Sequence, residues 1–301
     1  MAAFSPTDAA FEGFRLTREQ PRVVAVWAGL FLVFSVISAL LMVSTVGPQF
    51  AALQAASQNP AGLAPADAVK ILPFYALVMP VVLVFWSVLL CAVYRAVLRP
   101  AEGGLGALRF GVDELRMIAL TVILWMLMFF GLFMIGLVAS PGMAPAGAGG
   151  VSVNPLGAVG LLAGAGAAIW AFVRLSLAAP MTFVTGELHL IRAWTLTRGQ
   201  FWRLLGAYVL ALGLAGVVAV LALVIFTALA GVAVTLRGGA IDQVGKLFEV
   251  NPTSMAAFFS PAMIVYQLFT AALQAVLSAV VLAPAAVAYA ALSPPQVSAW
   301  A

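Results

Sequence analysis

Charge is what this 301-residue sequence has least of: 14 Lys and Arg and 10 Asp and Glu make up 8% of it, against roughly a quarter in a soluble domain. So few charges cannot cover a soluble surface, and a disordered chain needs low hydrophobicity with high charge. With 64% hydrophobic residues the sequence reads as an integral membrane protein. Histidine and cysteine are nearly missing, with His189 and Cys91 the single examples. One cysteine excludes a disulfide within the chain, and with it a secreted disulfide scaffold. Metal sites need convergent His, Cys or carboxylate ligands, so neither a metal nor a cofactor is expected. The sequence has no Gly-x-Ser-x-Gly elbow and no Gly-x-x-x-x-Gly-Lys phosphate loop. The net charge of +4 comes from so few residues that it points to topology and anionic lipid, with no nucleic-acid partner.

What is abundant is apolar sequence in long runs. A membrane span needs about 20 predominantly apolar residues, and six runs qualify: Val23 to Val46, Ile71 to Leu98, Met117 to Ala139, Leu156 to Arg174, Gly206 to Leu236 and Pro261 to Leu292. The first is longer than a signal-peptide core and is expected to stay as a span. Eleven of the 14 basic residues fall before the first span, between the second and third, or between the fourth and fifth. By the positive-inside rule those connections and both termini of this multi-pass chain are expected to be cytoplasmic. The opposite connections, such as 47–67 and 140–155, are rich in Pro, Gly and Ala and read as loops.

The chain before each odd-numbered span looks alike. Phe14 to Arg22, Leu108 to Arg116 and Trp194 to Arg203 each end in an arginine that meets an apolar run, and Leu-Thr-Arg-x-Gln recurs at 16–20 and 196–200. The even-numbered spans close with Pro100, Pro180 and Pro294-Pro295, since proline cannot continue a helix. These features predict an all-α polytopic bundle in one domain, 1–301, built from three helix-pair repeats of about 12–100, 107–180 and 190–295. Each unit would begin with an amphipathic interfacial helix, the best formed over Glu187 to Leu205, and the units would be related by an axis along the membrane normal. Arg22, Arg116, Arg192, Trp194, Trp202 and Arg203 are the expected contacts to anionic headgroups, arginine stems covering apolar surface and tryptophan sitting at the headgroup boundary.

The 193–202 stretch, Ala-Trp-Thr-Leu-Thr-Arg-Gly-Gln-Phe-Trp, with its partner at 14–20 and the six-span layout, resembles a broad group of bacterial six-span membrane proteins that includes the membrane domain attached to some glycerophosphodiester phosphodiesterases. The resemblance implies a helical bundle in a bacterial cytoplasmic membrane. It carries over no phosphodiesterase activity, because no soluble segment here is long enough for the catalytic barrel.

Tests for chemistry return little. Glu187 and His189 are two apart, which on a helix keeps them from facing each other, and no acid falls well inside an expected span, which disfavours proton-coupled transport. Gly160-x-x-x-Gly164, with Gly157 nearby, suits close helix packing, within one chain or between copies. On the sixth span Gln267, Thr270, Gln274 and Ser278 recur on one helix face and should look into the bundle or a wet groove. A weaker stripe on the second span is Ser87, Cys91, Tyr94 and Arg95. The expected function is non-enzymatic: a scaffold, assembly or regulatory component of the membrane, with anionic lipid, a second copy or another membrane protein as partners. The alternative is a transporter or lipid-handling protein using a cavity between the repeats.

Overall fold

The computed structural model describes residues 5–49, 51, 72–100, 104–139, 143–146, 150–153, 155–239, 244–245, 248 and 253–293. Among them six helices are long and apolar enough to cross a membrane, so the chain is a multi-pass integral membrane protein. They are α2 (Pro21–Thr45), α3 (Leu72–Leu98), α4 (Val112–Ala139), α5 (Pro155–Leu175), α8 (Phe201–Leu236) and α10 (Pro261–Leu292). Shorter helices flank them: α1 (Pro6–Glu19) before α2, α6 (Ala178–Thr185) and α7 (Leu190–Leu196) between α5 and α8, and α9 (Met255–Phe258) before α10. Local chemistry sets several starts. Proline stands at the first position of α1, α2 and α10, where its missing N–H is no loss, and the Ser5 and Ser260 hydroxyls accept from the amides of Asp8 and Met263.

Three local expectations need correction. The helix expected over Glu187 to Leu205 is two pieces: α7 stops at Leu196, a turn containing Gly199 at φ +80° follows, and Trp202, Arg203 and Leu205 lie inside α8. Pro180 does not end the fourth span; α5 ends at Leu175 and Pro180 sits in the first turn of α6, where proline is tolerated. The 140–155 connection is more than loop, since β1 (Met143–Ala146) pairs antiparallel with β2 (Gly150–Val153), Met143 opposite Val153. Valine at 151 and 153 favours that extended state.

Burial is concentrated where the arginines are, at the arginine end of the bundle. One core brings Cys91 and Tyr94 of α3, Met117 and Leu120 of α4, Val173 of α5, Phe183 of α6, Leu204 of α8 and Tyr289 of α10 together. A second packs Val24, Trp27 and Phe31 of α2 on Phe85 and Leu89 of α3 and Ala271, Ala275 and Ala279 of α10. The amphipathic α1 lies on α10 through Ala9, Ala10, Gly13 and Leu16. The approach is close: a Cβ on Gly13 would stand 2.3 Å from the Val280 Cα, so only glycine fits. Likewise Gly164 of α5 lies against Ile135 of α4, so the glycine face of α5 is used within one chain.

Candidate functional site

The most elaborate polar arrangement lies at the arginine end of α3. Helix periodicity stacks Ser87, Cys91, Tyr94 and Arg95 on one face, and all four are buried. Arg95 donates from Nη2 to Glu114 Oε1 at 2.7 Å, with 3% and 1% of the two side chains exposed, and from Nη1 to the Ala107 carbonyl. The other Glu114 oxygen accepts from the Gly111 amide at 2.9 Å. Trp27 Nε1 donates to the Gly106 carbonyl at 2.8 Å, so α2 and α3 both grip the 3₁₀ turn at Leu105–Ala107. Gly106 has φ +65°, and a Cβ there would meet Val26 Cγ1 at 2.5 Å. The Phe183 ring lies under the Arg95 and Arg99 guanidiniums, 5.6 and 4.9 Å from its centroid.

A charge pair so deeply buried persists because the Ala107 carbonyl and the Gly111 amide add a further partner to each side of it. Its chemistry is structural: it fixes the connection between the second and third spans. A cavity of about 340 Å³ opens beside it, lined by Arg95, Arg109, Asp113 and Glu114 among others. Sequence reasoning missed the pair because it began the third span at Met117. The signal was Asp113-Glu114 at the start of an apolar run, with Arg95 inside another. Acids suit the first turn of a helix, so α4 starts at Val112 and takes both in.

The expected headgroup contacts divide. Arg22, Arg192 and Arg203 are exposed, and Trp202 is 78% exposed beside Ile191 at 84%. Arg116 and Trp194 are engaged within the chain. Arg116 reaches Asp113 at 3.3 Å and lies close to Gly186, whose φ is +72°. Trp194 meets Trp170 edge-on at 4.8 Å, and the Arg174 guanidinium sits 5.5 Å from both rings. Arg22, Arg116 and Arg203 are the second, fifth and third residues of their helices. The two Leu-Thr-Arg-x-Gln segments behave alike. Thr17 and Thr197 each donate to the carbonyl four residues back, and Gln20 and Gln200 each stand at the N-cap of the following span. His189 Nε2 lies 2.8 Å from Glu187 Oε2, contrary to the helical expectation, because 186–189 is not helix.

The polar stripe of α10 is placed unevenly. Gln267 Oε1 accepts from Ser35 Oγ of α2 at 2.6 Å. Thr270 donates to the Tyr266 and Gln267 carbonyls of its own helix, Ser278 is 6% exposed, and Gln274 is exposed. Among the described residues no group of three or more His, Cys, Asp and Glu could hold a metal ion. Comparison with protein-family models, with curated proteins and with solved structures finds no match to this chain.

Proposed function

We propose that this chain is a non-enzymatic component of a bacterial inner membrane, a scaffold, assembly or regulatory protein, with both termini and the arginine end on the cytoplasmic side. The observation that carries the reading is the aromatic face of α4, where Trp125, Phe129, Phe130 and Phe133 are each more than half exposed. Rings displayed in hydrocarbon on a span anchored at one end suit packing against another membrane helix, and the exposed Arg22, Arg192, Trp202 and Arg203 suit anionic headgroups. The paired roles of Thr17 with Gln20 and Thr197 with Gln200 support a duplicated unit, with boundaries near 12–100, 107–180 and 190–295. Affinity purification in mild detergent should recover a membrane partner, a second copy included, that Phe129→Ala with Phe133→Ala releases. Recovery unchanged by the double variant counts against the reading.

Orientation has its own test. Single cysteines at the exposed positions Thr7, Arg109 and Thr195 should resist an impermeant thiol reagent in intact cells, while cysteines at Gln49 and Arg237 react. Reaction at 109 rejects the inside assignment of the arginine end. A second reading, a transporter or lipid-handling protein, is favoured by one observation: Gln274 is exposed although Ser278, one turn on along the same face, is buried.

A further inference from the structure

A second cavity, of about 480 Å³, opens at the arginine end between α1, α3 and α10. Its size is that of a ligand site, about 300–1,000 Å³. The α1 side is Asp8, Phe11, Glu12 and Arg15, which helical periodicity stacks on one face. The last turns of α3 and α10 close it with an apolar wall that includes Leu98 and Val287. Glu12 is held by Arg15 at 3.0 Å. The Asp8 carboxylate has no partner among the described residues; only its amide is engaged, donating to Ser5 Oγ. The rim therefore carries one unbalanced negative charge above an apolar wall, beside a Phe11 ring that is 52% exposed. Three charged side chains on one helix face place this cavity outside the hydrocarbon.

The complement of such a cavity is also on the molecule. Arg109 is exposed and pairs with no described residue, and the neighbouring Phe110 is 68% exposed. Both line the smaller cavity beside Glu114, so guanidinium and ring project from one patch. The other exposed pairs of this kind, Ile191 with Arg192 and Trp202 with Arg203, are successive residues of helices and point about 100° apart. Neither Arg109 nor Phe110 lines the α1 cavity of its own chain. Depth matches as well, because the Arg95–Glu114 pair is a common reference. Leu98 stands three residues beyond Arg95, about 4.5 Å along α3, and Phe110 adjoins Gly111, whose amide donates to Glu114. Two copies in one bilayer share one depth, so ring and cavity can meet only because they lie at the same level.

We propose that the α1 cavity receives a second copy of this chain: the second copy's Phe110 enters against Leu98, Val287 and Phe11, and the second copy's Arg109 pairs with Asp8 at the rim. Aromatic and arginine side chains are the usual anchors of protein interfaces. Each copy carries both halves, so the same contact serves a two-fold pair or a closed ring. A lipid ammonium group would meet the carboxylate, but it brings no apolar group to the wall outside the hydrocarbon. The inference rests on the scaffold reading and names its partner and the surface that takes it.

The test follows resonance energy transfer between donor- and acceptor-labelled full chains in vesicles of phosphatidylethanolamine and phosphatidylglycerol, as added lipid dilutes the protein. Wild type should associate. Asp8→Arg and Arg109→Glu should each require about tenfold more protein per lipid, Phe110→Ala should weaken association, and Asp8→Arg joined to Arg109→Glu in one chain should restore it. Arg198→Glu, an exposed arginine of the same end, should change nothing. Wild type that stays monomeric at every dilution, or a charge swap that restores nothing, overturns the proposal. So do single variants that still associate while losing bound phosphatidylethanolamine, which gives the cavity to a lipid headgroup. Association lost with Phe129→Ala and Phe133→Ala but kept in the charge variants overturns this contact and leaves the scaffold reading standing. The converse result upholds this contact and takes α4 out of it.

Discussion

Two spans of nearly equal apolarity have opposite fates. In α10, 56% of the best spanning window is buried inside the protein, and in α4 only 6%. Composition does not separate them, since both are continuous apolar helices without charge in their central turns. Residue size does. Where α10 is buried it offers Ala271, Ala275, Ala279, Ala283 and Ala286, small side chains that let α1, α2 and α3 approach, as packing in a lipid solvent requires. Over its second half α4 offers Trp125, Met126, Phe129, Phe130 and Phe133, which the other described helices leave exposed. Within this chain, then, the interior helix is the small-residue one, and the large apolar side chains of α4 are left for whatever lies outside it.

The comparison is broken most severely at the place where α4 does enter the core. Replacing Glu114 by Ala leaves the Arg95 guanidinium buried without its counter-charge, a loss of about 3–5 kcal/mol for removal of one partner of a buried pair. Thermal unfolding in detergent micelles should show a larger drop than any single glycine or glutamine substitution in α1, α5 or α10 produces. The joint change Arg95→Met with Glu114→Leu should recover most of it. A double variant as unstable as the single one would show that the Ala107 and Gly111 hydrogen bonds, and not charge balance, hold the turn.

Close approach supplies the next test. Gly13→Ala sets a methyl group 2.3 Å from the Val280 backbone, which cannot turn aside, so α1 must lift from α10 at about 1–3 kcal/mol. Gly164→Ala meets the Ile135 side chain at the same distance, but that side chain can shift its rotamer at about 0.5–1.5 kcal/mol. Proteolysis of the N-terminal segment should accelerate in the first variant alone. Equal effects in both would mean that α1 is seated no more tightly than the outer pair of spans.

How much of this was legible in the sequence depends on the length scale of the signal. Runs of 20 apolar residues are set by the hydrocarbon thickness, so the six spans were visible, and the starts of α2 and α10 fall within two residues of expectation. Starts governed by buried polar groups were not. Glu114 reads as a loop acid until Arg95 is known to lie opposite it, and which residues meet across two spans is a matter of tertiary register. Gly199 broke the expected 187–205 helix for a reason the sequence does contain, since glycine is the residue that readily adopts positive φ. Spacing alone puts the stripe of α10 on one helix face. Its uneven burial depends on where the neighbouring helices stop, which periodicity does not encode.

That unevenness gives the smallest and sharpest contrast, between two glutamines seven residues apart. Gln267→Leu removes the acceptor of the Ser35 hydroxyl, worth about 0.6 kcal/mol if it matches the average interhelical hydrogen bond in a membrane. Gln274→Leu removes an amide that bonds to no described residue, so the empty protein should lose no stability and should gain slightly from placing an apolar side chain in hydrocarbon. Unfolding of delipidated protein in mild detergent therefore ranks Gln274→Leu at or above wild type and Gln267→Leu below it. The order carries the argument more than the size, because a stripe used only for packing would make both changes destabilising. If Gln274→Leu falls as far as Gln267→Leu in delipidated protein, the amide has a partner within the chain, and the two halves of α10 do the same work.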